Sequence, residues 1–189
     1  KELCGAEVKG NKIDSHELEF IPDKINKDKI DINIGTAGST TLILQTLIPA
    51  CLNSNKRISI NVKGGTDTTH CPGSMYFEYI YCDFLKRTGM NFNFEIKKFG
   101  FYPKGGGELY FEFFPSKIKE INFVDRGKLV KVDASIVASN DLSKNDVINR
   151  IIKGFKSKFN EKINFYEYYV NTLNPGCFIH GHAHYENYM

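Results

Sequence analysis

Apolar side chains recur along this chain with two different periods. Over residues 28–34 they alternate with polar ones (Ile30, Ile32, Ile34), and the alternation returns over residues 57–62 with Ile58, Ile60 and Val62. A period of two sets one side-chain row on one sheet face, so both stretches read as half-buried strands. Between them, from about residue 39 to 52, Leu42, Ile43, Leu44, Leu47, Ile48 and Cys51 cover a helix on most sides and predict that it is buried. Gln45 is its polar exception, either satisfying loop backbone or facing a ligand. A second helix is expected over about residues 75–88, capped by Ser74, with Phe77, Ile80, Tyr81, Phe84 and Leu85 turned inward. Strands at 91–97 and 109–114 complete a β-α-β-α-β-β order, with helices on one face of a sheet.

The flanks are less regular. Residues 6–9 and 17–20 read as a short hairpin. After Pro115, strands are expected at 118–123 and 128–137 around the turn Asp125-Arg126-Gly127. Ser143 and Asp146 resemble a capping box. The helix after it carries Val147, Ile148, Ile151, Ile152, Phe155 and Phe159 on one stripe, with Lys153, Lys156 and Lys158 largely off it. Strands at 163–170 and 177–184 follow, separated by Asn174-Pro175-Gly176. The expectation is an α+β protein with a second, smaller α/β module over 117–189. Residues 1–4 look like the last turn of a helix closed by Gly5, and the chain stops inside a strand-like run, so a segment of a longer protein is expected.

Composition changes this picture little. The 189 residues, 41% of them hydrophobic, suffice for a packed core, and a net charge of +3 neither demands nor excludes nucleic acid. The cysteines Cys4, Cys51, Cys71, Cys82 and Cys177 form no C-x-x-C pair, which suggests reduced, mostly buried thiols and a cytoplasmic protein, or a nuclear one in a eukaryote. No membrane-length apolar run or signal peptide is visible, so no membrane partner is expected.

Candidate chemistry concentrates at three glycine junctions: Gly35-Thr36-Ala37-Gly38-Ser39, Lys63-Gly64-Gly65-Thr66-Asp67, and Gly100-Phe101-Tyr102-Pro103-Lys104-Gly105-Gly106-Gly107-Glu108. The first two follow strands and lead toward helices. Free backbone N–H groups and the helix dipole favour an anion there. Neither a Walker loop nor a G-x-G-x-x-G fingerprint is present. Each junction alone reads as a tight turn; three within one sheet layer point to phosphate handling at Gly38, Ser39, Thr66, Asp67 and Lys104. Lys104 is either a phosphate-binding point charge or a solvated hairpin lysine. His180, His182 and His184 alternate on one strand face, with Cys177 before them. No second ligand cluster is evident, so a solvated face is expected rather than a metal site. His70-Cys71 reads equally as a ligand contact or loop filler. Arg57, Lys63, Lys86, Arg87, Lys97, Lys98 and Lys104 would form an RNA-binding stripe if they align.

These three motifs, with the helix Thr40-Thr41-Leu42-Ile43-Leu44-Gln45-Thr46-Leu47-Ile48-Pro49 and with Pro72, resemble the RNA 3′-terminal phosphate cyclase family. Cys4-Gly5-Ala6-Glu7-Val8 and the stretch after Pro115 are also similar to it, the latter more weakly. The resemblance implies repeated βαβαββ units like the C-terminal domain of bacterial initiation factor three, and an inserted thioredoxin-like domain. Residues 1–27 would end the first repeat, 28–116 would be the second, and 117–189 most of the insert. It further implies ATP, a divalent ion (Mg2+ or Mn2+) and an RNA 3′-phosphate end. A histidine takes AMP and passes it to the RNA, whose 2′-OH then closes a 2′,3′-cyclic phosphate. By the resemblance Gln45 contacts the nucleotide and Pro72 lines its adenine side. The family's nucleophilic histidine has no counterpart here; His180, His182 and His184 do not match it. This chain alone is therefore expected to be inactive, with first- and third-repeat segments as partners and self-association through the exposed apolar surface. The alternative is a non-catalytic, cyclase-like ribosome biogenesis protein, which usually lacks the Gly35–Ser39 and Gln45 motif.

Overall fold

A computed structural model describes residues 1–52, 54–159 and 162–188. Its largest sheet contains β3 (Lys29–Asn33), β4 (Ile58–Gly64), β5 (Asn91–Lys98) and β6 (Gly107–Phe114) in the order β3-β4-β6-β5. β3 and β4 run parallel, which requires a crossover, and α1 (Thr40–Cys51) supplies it. β6 is antiparallel to both its neighbours. Register sets Ile58, Ile60 and Val62 opposite Phe113, Phe111 and Leu109. These six side chains are fully buried, and Leu44, Ile48 and Cys51 of α1 pack in the same cluster. The opposite face of the sheet is polar. There Glu112 accepts from Arg57, Tyr110 and Asn93.

The second helical run has three parts: α2 (Ser74–Tyr76), a π-helical turn (Phe77–Tyr81) and α3 (Cys82–Arg87). Phe77, Cys82 and Leu85 enter the first core. Phe84 does not: it is 42% exposed and stacks on Phe123 instead. The wide π turn re-phases the helix, which moves residue 84 off the inward stripe that α-helical spacing predicts. Ser74 is the first helical residue rather than the cap. Its N–H and Oγ both donate to the carboxylate of Asp67, seven residues upstream (2.9 and 2.6 Å).

The smaller sheet has β7 (Leu129–Ser139) at its centre, parallel to β8 (Ile163–Val170) and antiparallel to β9 (Cys177–Tyr185). α4 (Val147–Lys156) packs Ile148 and Ile152 against Ile136, Ala138, Phe165 and Ile179. Residues 133–139 are buried on both faces, which their mostly small side chains permit.

A short hairpin of β1 (Glu7–Lys9) and β2 (Glu19–Ile21) precedes these layers. Residues 2–5 form a turn, so residues 1–4 are not the end of a helix, and Leu3 is buried in the first core. Residues 118–123 are not a strand. They run along the surface; Lys119 N–H donates to the Thr88 carbonyl instead of joining a ladder. The expected capping box does not form either. A 3-10 turn (Asn140–Asn145) precedes α4, and Asp146 enters it at φ 50° without a side-chain cap. Phe159 lies beyond α4 and is 48% exposed. Among the described residues no helix is long and apolar enough to cross a membrane.

Candidate functional site

The three glycine junctions meet at the ends of β3 and β4. Gly65 N–H donates to the Gly38 carbonyl (2.8 Å), and Thr40 donates to the Gly65 carbonyl through N–H and Oγ1 (2.9 Å each). These bonds carry the parallel pairing one step past the strands, as the bridge between Ser39 and Gly65 records. The third junction closes on the second. Thr66 N–H donates to the Gly100 carbonyl (3.0 Å), and Gly100 N–H donates to Thr66 Oγ1 (3.0 Å). Glycine is needed because backbone meets backbone. A Cβ on Gly64 would lie 2.6 Å from the Gly38 carbonyl oxygen, and one on Gly105, at φ +72°, would lie 2.7 Å from Gly64 and from the Thr36 oxygen.

The junctions leave a cleft of about 400 Å3 lined by Gly35, Thr36, Lys63, Lys98, Lys104 and Gly107, with Asn33, Gly64, Gly106 and Glu108 at its walls. Lys104 is exposed and free to turn toward the cleft. Lys63 approaches Glu108 at 3.8 Å, and Lys97 approaches the same carboxylate at 3.7 Å, too far to fix either ammonium. Three lysines around this cleft give a region that attracts anions.

A second, more apolar cavity of about 610 Å3 opens beside it, between α2 and β9, walled by Met75, Tyr76, Phe101, Tyr102, Phe178 and His180 with Asp67 at its edge. The Gly100–Gly107 turn thus separates a basic cleft from an aromatic cavity. Phe101 is 4% exposed, and its carbonyl accepts from Asn174 Nδ2 (3.3 Å), which ties this turn to the smaller sheet.

The sequence-predicted residues divide between binding surface and framework. Gly38 and Thr66 are framework: the Gly38 carbonyl is bonded to Gly65, and Thr66 is fully buried with its hydroxyl donating to Asp67 (2.7 Å). Ser39 caps α1, its Oγ accepting from Leu42 N–H (3.2 Å). Asp67 caps α2, and burial raises its pKa against the opposing pull of the Ser74 and Thr66 hydrogen bonds. Gln45 and Pro72 line neither concavity. Thr41 Oγ1 donates to the Pro72 carbonyl (2.7 Å), and half-buried Gln45 lies one turn beyond Thr41 on the same helix face. His70, at φ +66°, is exposed, while Cys71 bonds within its own loop to Thr68.

The expected basic stripe is broken. Arg57 is bound to Glu112, Arg87 to Asp83 and the Asn187 carbonyl, and Lys86 lies over Phe92. Lys63, Lys98 and Lys104 remain for the cleft. Burial raises the Cys51 thiol to about 11 and Cys82 to about 12, so neither is a ready nucleophile; Cys4 and Cys71 are half-buried and Cys177 is exposed.

The histidine face of β9 departs most from expectation. It is not solvated: Tyr79 from the π turn stacks on His182 at 4.7 Å and on His180 at 6.0 Å between ring centres. Burial, then the neighbouring imidazole, lowers His180 to about 4 and lowers His182. Sequence reasoning also missed Asp133, which lies opposite His182 in the ladder. Only strand register could have revealed it.

Comparison with known proteins bears on these features. An RNA 3′-terminal phosphate cyclase of Saccharolobus solfataricus is 42% identical over 133 residues, covering 70% of this chain and 39% of that protein. Those of Staphylothermus marinus and Methanosarcina barkeri are 40% and 35% identical, covering 69% and 68% of the chain and 37% and 39% of their own lengths. The chain thus spans about two fifths of the length of the curated relatives it matches. Residues 1–179 match the family described as RNA 3′-terminal phosphate cyclase, and with three glycine junctions folded against one sheet edge, the chain belongs to that family.

Proposed function

We propose that this chain forms the nucleotide- and phosphate-handling part of an enzyme that converts an RNA 3′-terminal phosphate to a 2′,3′-cyclic phosphate at the expense of ATP. The observation that carries the reading is the convergence of the three junctions on a cleft rimmed by Lys63, Lys98 and Lys104. In the proposed reaction a histidine outside these 189 residues attacks the α-phosphorus of ATP and releases pyrophosphate. The RNA 3′-phosphate then takes AMP, and the adjacent 2′-OH attacks the activated phosphorus and expels AMP. Activation is needed because a phosphate monoester is a poor electrophile with a poor leaving group.

In this reading the cleft lysines hold the RNA phosphate, while Gln45 and Pro72 contact the nucleotide, the Thr41–Pro72 hydrogen bond tying the Pro72 loop to the helix that carries Gln45. Gly38, Ser39, Thr66 and Asp67 act by shaping the junctions, since their polar groups already serve the fold. A divalent ion, Mg2+ or Mn2+, would need oxygen ligands. Glu108 and Asp67 are the carboxylates at the two concavities, and both are drawn into protein contacts. These two residues do not form a cage for such an ion. Residues 28–116 would be one initiation-factor-like repeat, 1–27 the end of another, and 117–189 a thioredoxin-like insert.

Fluorescence anisotropy with a 3′-phosphorylated oligoribonucleotide tests the cleft. The logarithm of affinity should fall linearly with that of salt, and the Lys98→Ala/Lys104→Ala pair should lower the slope by about 1.4, roughly 0.7 per phosphate contact on a single strand. An unchanged slope refutes the assignment. Incubation with α-labelled ATP should leave no stable label on this chain; a labelled chain would overturn the placement of the nucleophile. The competing non-catalytic reading is disfavoured by the intact Gly35–Ser39 junction with Gln45. Absence of an AMP adduct on the full gene product would restore it.

A further inference from the structure

Three ring nitrogens on β9 are buried without a hydrogen-bond partner: His180 Nε2, His182 Nδ1 and His184 Nε2. Buried polar atoms are rarely left so, because desolvation without a partner costs stability. His184 Nε2 does lie 2.7 Å from Asp133 Oδ2, an ion-pair distance without hydrogen-bond alignment. Register explains the convergence. His182 pairs directly with Asp133 across the antiparallel ladder, and His184 with Lys131. His182 and His184 are two apart on one strand, so their imidazoles share a face. One ligand atom from each of Asp133, His182 and His184 lies within 4.8 Å of the other two. Asp133 is 4% exposed and His182 9%.

We propose that Asp133, His182 and His184 bind one divalent transition-metal ion, with Zn2+ the best fit. Two imidazoles and a carboxylate suit a borderline ion, whereas Mg2+ and Ca2+ favour oxygen donors alone. Four-coordinate zinc with bonds of about 2.0–2.2 Å sets donors roughly 3.3–3.6 Å apart. The His184–Asp133 contact of 2.7 Å lies below that range and the 4.8 Å limit on the set lies above it, a difference that side-chain rotation can close. Tyr79, stacked on His182, covers the site from the π turn. One protein group competes for the position. Lys131 Nζ donates to Asp133 Oδ2 (2.6 Å), and the ion must displace it; Lys131 is 45% exposed and can turn into solvent. Asn164 Nδ2 holds the other oxygen of Asp133 (2.8 Å) and orients the carboxylate. The site is independent of the cyclase reading, because it lies outside the glycine-lined cleft.

The test uses the tag-free 189-residue chain, stripped with chelator and titrated with Co2+, then with Zn2+. Expected is one Co2+ per chain with the intense visible bands of low-coordinate cobalt, bleached by Zn2+, and a melting temperature raised by Zn2+. His182→Ala and His184→Ala should each abolish stoichiometric binding, while His16→Ala, on an exposed loop, should retain it. Lys131→Met should tighten binding roughly tenfold, the worth of one hydrogen bond to a charged group. This variant changes an exposed side chain and keeps the test open if an alanine variant fails to fold. Absence of stoichiometric binding by the parent chain overturns the proposal. So does binding that survives both histidine substitutions, or an affinity unmoved by Lys131→Met.

Discussion

Replacing Gly105 by alanine tests whether the glycine junctions touch as described. Two costs combine. At φ +72° an L-residue adopts left-handed backbone, at about 1–2 kcal/mol. The new Cβ would also lie 2.7 Å from Gly64 backbone and from the Thr36 oxygen, and backbone cannot rotate aside as a flexible side chain can. Overpacking of this kind costs about 1–3 kcal/mol. The sum is about 2–5 kcal/mol. Gly35 separates the two terms: it has φ +76° but nothing within 4 Å of an added Cβ, so Gly35→Ala should cost only the backbone part, about 1–2 kcal/mol. Gly154 lies inside α4 with nothing within 4 Å, and alanine there should gain up to about 1 kcal/mol from helix propensity. Urea denaturation should therefore rank Gly154→Ala above the parent chain, then Gly35→Ala, then Gly105→Ala. If Gly105→Ala proved no worse than Gly35→Ala, the Gly105 backbone would not approach Gly64 and Thr36, and the convergence that builds the cleft would be wrong.

Other expectations follow from named contacts. Tyr110, then Arg57, hold the Glu112 carboxylate below its ordinary pKa of 4.5, so the stability it contributes is present above that value and is lost as the pH falls below it. Glu112→Gln should cost about 1–3 kcal/mol at neutral pH and flatten the acid limb of a stability–pH profile; an unchanged limb would refute this. Asp67→Ala should cost about 1–2 kcal/mol through the lost cap of α2, read by thermal unfolding. At Gly176 an added Cβ would lie 2.3 Å from the Phe101 ring, so Gly176→Ala should shift Phe101 into the aromatic cavity, visible as altered near-ultraviolet dichroism from Tyr76 and Tyr102.

The four-stranded layer was legible because one face of each strand is buried and the other is not. Alternation at Ile58, Ile60 and Val62 is what an exposed polar face opposite a packed one produces. Residues 118–123, whose apolar positions Ile118, Ile121 and Phe123 do not alternate strictly, form no strand. The inward stripe of the second helix failed at Phe84 because period 3.6 does not hold across a π turn. The junction glycines were found from their spacing. The polar groups of Ser39, Thr66 and Asp67 looked like ligands because capping and ligand binding call for the same residue types. The alternating histidines were plain, but not the tyrosine laid over them or the aspartate paired with them. Both contacts link residues far apart in sequence.

The π turn at Phe77–Tyr81 has a consequence for how this protein could be divided. Rings on and beside it point two ways: Phe77 and Tyr81 of the turn toward the four-stranded sheet, Tyr79 of the turn and Tyr76 of α2 toward the histidines of the three-stranded one. One helix is a party wall between two rooms. An excision at residue 117, where the sequence changes character, would leave the smaller sheet without its partition and open the imidazole face to water. A cut that respects the chain's sequence does not respect its masonry, and a portable version of the smaller sheet would have to carry a substitute for that wall.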